Sequence, residues 1–391
     1  MGECLGARVS RSLSIFLVFA GLNCVPGAYG YSSYIGYGHS TCLSCHFNAY
    51  GGGLLTSYGR AISASTIAAK PLYAPDADDN ALAESSGFLG PIAYPAWLET
   101  AASYRGFYRV DHIESGADAS WLNDRADFSI ALKPAAWIWA VGNIGYESSP
   151  VTAGYPDKNW ISREHYLALE PFRNFRLYAG LLASIYGVRP SEYDVYARTR
   201  TGLGAYSQSH SVVTHYATEK MDAGIQAFFG NYLSPVSARE KGVTLSYEYE
   251  PAEAVRVGSS VMYAQNTLAN RYMGALFARV SAGDGSSILA ELGTVRRRSF
   301  GREESDPFDT YFMLQTMSRF ARGAHFLLTS EFQTDNIIGP APRRFKVAPG
   351  FLYVPAQRLE LRATLQATRT VGGPTVENDG VNFITELALW F

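Results

Sequence analysis

The sequence predicts an all-β fold, an antiparallel barrel of about sixteen strands, preceded by a short N-terminal segment of different character. Three observations carry this expectation. From Trp97 to the end, apolar and polar residues alternate with the period of two that marks a strand lying between unlike environments. The connections between these stretches are alternately brief ("LKPAAW", "EPFRNF", "ATEKMD") and long and polar ("YGVRPSEYDVYAR", "NYLSPVSAREK", "FQTDNIIGPAPRR"), the signature of an outer-membrane barrel with turns at one end and loops at the other. The chain closes on "FITELALWF", with Phe383, Leu387, Leu389 and Phe391 on one alternating face, like the terminal strand of bacterial outer-membrane proteins.

Residues 1–30 read as an export signal. Arg8 and Arg11 precede the apolar stretch "LSIFLVFAGL", and the small residues Gly27, Ala28 and Gly30 follow it, so cleavage is expected near Ala28 or Gly30. The apolar stretch is too short to span a bilayer.

Residues 31–69 hold the most specific motif. In "HSTCLSCHFNAYGGG", Cys42 and Cys45 stand two residues apart and His46 follows at once, which is the spacing of a c-type haem attachment site. Two thioethers would fix the porphyrin, and His46 would reach the iron from the proximal side. Of four cysteines, Cys4 and Cys24 fall within the signal, which leaves the exported chain only this pair. The alternatives are a mutual disulfide or a thioredoxin-like redox pair, and the latter needs a βαβ context that is missing. His39 is expected to be a polar surface residue. No Met occurs between the motif and Met221, so a distal Met ligand would have to come from the barrel wall. The glycines 51–53 permit backbone conformations closed to other residues, and residues 70–95, with Pro71, Pro75, Pro91 and Pro95, read as a linker or plug.

Residues 96–391 form the barrel. Leu359, Leu361, Ala363, Leu365 and Ala367 share one face, opposite Glu360, Arg362, Thr364 and Gln366. Ala126, Phe128, Ile130 and Leu132 alternate likewise with Arg125, Asp127 and Ser129, and Val243, Leu245, Tyr247 and Tyr249 with Thr244, Ser246 and Glu248. Trp97, Tyr146, Trp160, Tyr272 and Trp390 suit interfacial girdles, and Glu99, Arg105, Arg109, Arg125, Asp127, Glu248, Glu360, Arg362 and Glu386 are expected to coat the lumen and orient the plug. His112, His165, His210, His215 and His325 are read as lumen-facing structural residues.

Lys plus Arg total 33 against 35 Asp plus Glu, so no basic excess points to nucleic acid. No convincing catalytic dyad is present. On the Cys42-Leu43-Ser44-Cys45-His46 motif and the layout that follows it, the chain resembles the fused monohaem cytochrome–porin family, whose known members act as outer-membrane iron oxidases. The resemblance implies one covalent haem c on Cys42 and Cys45 with His46 as proximal iron ligand, and a location in the bacterial outer membrane. It also implies electron transfer from extracellular Fe(II), or another external redox partner, to a periplasmic carrier such as a soluble cytochrome. The alternatives are a conduit to other cytochromes or an extracellular acceptor, and a solute porin with an accessory haem.

Overall fold

A computed structural model describes residues 32–391 except 40–41, 49, 72–73, 89, 91, 93–94, 112–117, 147–158, 191–193, 205–206, 301–306, 340 and 373–378. The export signal and His112 therefore lie outside the described residues. Every strand runs antiparallel to its neighbours. They are β1 (Leu98–Asp111), β2 (Asp118–Ala135), β3 (Ile138–Tyr146), β4 (Trp160–Ile161), β5 (His165–Phe172), β6 (Phe175–Leu182), β7 (Ser209–Ala217), β8 (Met221–Phe228), β9 (Lys241–Ala252), β10 (Val255–Gln265), β11 (Ala269–Gly283), β12 (Ser286–Ser299), β13 (Phe308–Ala321), β14 (Ala324–Thr334), β15 (Arg343–Ala356), β16 (Leu359–Val371) and β17 (Gly380–Trp390). β17 pairs back onto β1, from Ser103 opposite Trp390 to Val110 opposite Phe383, and closes the sheet.

β4 and β5 are two pieces of one stave. Gly145 and Tyr146 of β3 pair with Ile161 and Trp160, whereas Ile138 to Gly142 pair with Leu169 to His165. Ser162, Arg163 and Glu164 leave the ladder between them. Counted by staves, the wall is a closed sixteen-stranded antiparallel barrel, as the alternation of loop lengths predicts.

The barrel is polar inside and apolar outside. Leu245, Tyr247 and Tyr249 are exposed while Thr244, Ser246 and Glu248 between them are buried, and Leu361 and Leu365 are exposed while Arg362 and Gln366 are buried. A wall of this polarity is stable only where apolar surface meets hydrocarbon, and closure leaves no unpaired edge inside it. Trp97, Tyr146, Trp160 and Tyr272 are all exposed, as girdle residues should be.

The segment before the wall makes short helical turns, α1 (Ser32–Ile35), α2 (Cys42–Cys45), α3 (Ser57–Ile62) and α4 (Asp79–Glu84), with a π-helical turn at Ser63–Ile67. Phe47 and Leu54 pack with Trp139, Val141, Tyr166 and Tyr178 of the inner wall, and Ile35 joins a second cluster with Tyr186, Leu289 and Met313. The segment is thus a plug that shares its apolar interior with the barrel.

Candidate functional site

The Cys-X-X-Cys-His stretch forms one helical turn and a tight return. The His46 N–H donates to the Cys42 carbonyl at 2.9 Å, the Phe47 N–H to the Leu54 carbonyl at 3.1 Å and the Thr56 N–H to the Cys45 carbonyl at 2.8 Å. The return runs through Gly51, Gly52 and Gly53, with φ of 77°, 79° and 62°. Three successive left-handed residues are affordable only as glycine. Close packing adds a second constraint, since a Cβ on Gly53 would lie 1.8 Å from Glu164 Oε1.

Both cysteines are unpaired. Cys42 faces a small cavity of ≈ 30 Å³, lined also by Tyr50, the stretch Ser184–Arg189, Asp222, Glu248, Arg279 and Leu289. Burial, reinforced by neighbouring Cys42, pushes the Cys45 thiol up to about 12. A thiol held protonated is a poor nucleophile, which counts against a thioredoxin-like pair. Burial first, and then the charge of Arg189, pushes the His46 imidazole down to about 4, against the opposing effect of hydrogen bonds that the ring donates to the Gly52 and Gly53 backbone. His46 is therefore neutral at pH 7, the state in which an imidazole ligates a metal.

The donor set is the one a covalently attached haem would use, and the space beside Cys42, with room for about one or two waters, would have to open to admit a macrocycle. Two unpaired thiols stand one helical turn apart, one of them opens on a cavity, and a neutral imidazole follows directly in sequence. The described lining contains no second imidazole and no thioether. His215 approaches indirectly, packed against Tyr50 with ring centres 5.1 Å apart and its Nε2 2.7 Å from Asp222.

The plug is held from several sides. Arg60 pairs with Glu99, which Lys133 also reaches at 3.1 Å. Asn48 donates to Glu164 at 3.2 Å, Arg189 to the Gly51 carbonyl at 2.6 Å, and Arg322 to the Ala68 carbonyl at 2.8 Å. Gly285 N–H donates to the Gly36 carbonyl, and Ala69 N–H to the Val354 carbonyl, each at 2.8 Å. Of the charges expected in the lumen, Glu99 does orient the plug. The others pair along the wall: Arg105 with Glu386, Arg125 with Asp124, Asp127 with Arg163, Glu248 with Arg279 and Glu360 with Arg362. Arg109 is half-exposed and pairs with Asp111.

The described residues of the third long connection, between β6 and β7, fold into the bore instead of outward. Val188 N–H donates to Glu291 at 2.7 Å, Gly187 N–H to Ser260 Oγ at 3.1 Å and Ile185 N–H to Gln226 at 3.1 Å. Its short helix α5 (Tyr196–Thr199) starts on Glu331, which is paired with Lys346 at 2.6 Å. Sequence reasoning missed Glu164, Arg189, Glu291, Glu331 and Lys346. For Glu291 and Glu331 the available signal was a lone acid at an inward strand position, which any porin wall also shows. Among the histidines, His215 and His325 face the lumen as expected and His39 is half-buried between Tyr34 and Tyr58. His165 and His210 instead point outward.

The fold has known counterparts. OmpT of Vibrio cholerae is similar at a TM-score of 0.61 with 11% identity, over 77% of this chain and 100% of that one. An anion-selective porin from Comamonas acidovorans matches at 0.56 with 11% identity, over 75% of this chain and 99% of that one. The outer membrane channel DcaP of Acinetobacter baumannii matches at 0.56 with 12% identity, over 75% and 97%. The chain has the fold of bacterial outer-membrane porins. No protein-family model matches the chain, and no curated protein does.

Proposed function

We propose that the chain is an outer-membrane electron-transfer protein of the fused cytochrome–porin kind, carrying one c-type haem in the bore of its barrel. The observation that supports this best is the placement of Cys42, Cys45 and His46. They sit on one turn of a plug inside a closed barrel, with Cys42 opening on a cavity. Cys42 and Cys45 would hold the macrocycle through thioethers, and His46 would be the proximal ligand. When bound, such a group supplies one-electron exchange.

The chain's own residues do the rest. The barrel insulates the site from hydrocarbon, the glycine return and Glu164 fix the height of the attachment turn, and the inward-folded third connection covers it. Extracellular Fe(II) is the favoured donor and a periplasmic carrier such as a soluble cytochrome the favoured acceptor. The test is a visible spectrum of detergent-purified protein as isolated, after anaerobic ferrous iron and after dithionite. Sharp reduced c-type bands with ferrous iron support iron oxidation; bands with dithionite alone assign the protein to a conduit serving another donor.

A second reading, a solute channel with an accessory haem, is favoured by the likeness to an anion-selective porin and to the DcaP channel. Planar-bilayer conductance separates the two. A plugged electron-transfer barrel should pass little current, whereas a channel should conduct steadily with the plug in place.

A further inference from the structure

His165 and His210 stand on the outer face of the wall, at the end that carries the long connections, where the chain enters β5 and β7. Both are in register with Leu181 of β6, one from either side. The two imidazoles lean together over Leu181, which is 0% exposed beneath them. Their ring centres are 5.4 Å apart and their planes inclined by 61°.

Each ring has a polar neighbour at Nδ1 that is able to accept a proton from it. Ser162 Oγ lies 2.9 Å from His165 Nδ1 and can accept from it while donating to the Glu164 carbonyl at 3.3 Å. His210 Nδ1 lies 3.2 Å from the Gly230 carbonyl, which can only accept, and that contact is shorter than the 3.4 Å to the Tyr232 N–H. With the protons on Nδ1, which the Ser162 and Gly230 contacts allow, each Nε2 keeps a lone pair for a ligand. Tyr232 stacks flat on His210 at 4.1 Å and holds that ring in place.

We propose that His165 and His210 form an exterior site for a divalent transition-metal ion such as Zn(II), Ni(II) or Cu(II). The two Nε2 atoms are the protein ligands, and water completes the shell. A metal–nitrogen bond of about 2.0–2.1 Å puts the ion about 3.2 Å from each ring centre, and a tetrahedral angle then separates the centres by about 5.2 Å. The observed 5.4 Å meets that requirement. An Nδ1–H satisfied by a fixed acceptor is the second-layer support that metal-binding histidines use, and imidazole favours these ions over Mg(II) or Ca(II). No group of three or more His, Cys, Asp or Glu able to hold a metal occurs among the described residues, so the site is a two-ligand one.

The test is a Cu(II) titration of tag-free, detergent-purified protein, followed by electron paramagnetic resonance. One copper per chain should show coupling to two nitrogens. His165→Ala and His210→Ala should each lower affinity at least about tenfold and remove one nitrogen from the spectrum, while both variants keep the heat-modifiable gel mobility of a folded barrel. Ser162→Ala, which removes only the acceptor behind His165, should weaken binding in the same direction. Wild-type affinity and coupling in either histidine variant would overturn the assignment. The readout is independent of the haem at His46.

Discussion

Replacing Gly53 by alanine should loosen the plug in a way that separates two physical effects. At φ 62° an added Cβ destabilises the left-handed backbone by about 1–2 kcal/mol. At 1.8 Å from Glu164 Oε1 it also overpacks a carboxylate that is itself buried and hydrogen-bonded by Asn48, for a further 1–3 kcal/mol or so. Gly52→Ala is the control. Its φ is 79°, but its Cβ would meet only the flexible Arg189 Nη1 at 3.2 Å, so the backbone effect acts almost alone. In hydrogen-exchange protection of amides 42–60, Gly52→Ala should lose roughly 5- to 30-fold and Gly53→Ala a further 5- to 150-fold or so. Adding Glu164→Ala to Gly53→Ala should recover most of the second loss. Equal protection in the two glycine variants would refute the claim that Glu164 sets the height of the attachment turn.

Three other perturbations follow from the geometry. His46→Ala should leave a heat-modifiable barrel that lacks the normal reduced c-type absorption, and an unchanged spectrum would dismiss His46 as proximal ligand. Glu291→Ala removes the acceptor for Val188 N–H and Tyr311 and leaves Arg198, 3.7 Å away, without its carboxylate. Stranding a buried charge costs about 3–5 kcal/mol, so the third connection should detach and single-channel conductance should rise in planar bilayers. Deleting Phe391 removes its paired backbone hydrogen bonds with Ala102, at 2.8 and 3.1 Å, and should lower the yield of folded barrel in a refolding assay read by gel mobility.

The wall was legible in the sequence because it obeys local rules. A period of two, read on β9 or β16, gives the face of each residue without knowledge of its neighbours, and loop lengths give the two ends. The Cys42–His46 motif can be picked out for the same reason, being contiguous. What stayed hidden depends on partners far apart in the chain. Nothing near Val188 announces that its N–H will meet Glu291, and nothing near Gly53 names Glu164. The outward turn of His165 is hidden for a different reason. Ser162 to Glu164 leave the ladder between β4 and β5, and such a break resets the alternation, so parity counted from Trp160 no longer tells which face the next residue takes.

The seam between β1 and β17 sets the order in which the wall can form. Every other neighbouring pair follows directly in the chain and can assemble as successive hairpins, but Ser103 and Trp390 meet across 287 positions. For a free chain, loop closure over that span costs about 5 kcal/mol in entropy, so the seam is the slow, non-local step that waits until the rest of the cylinder has brought its edges together. A barrel stalled at that stage would be a curved open sheet with two bare edges, and the last residues of the chain are what convert it into a tube.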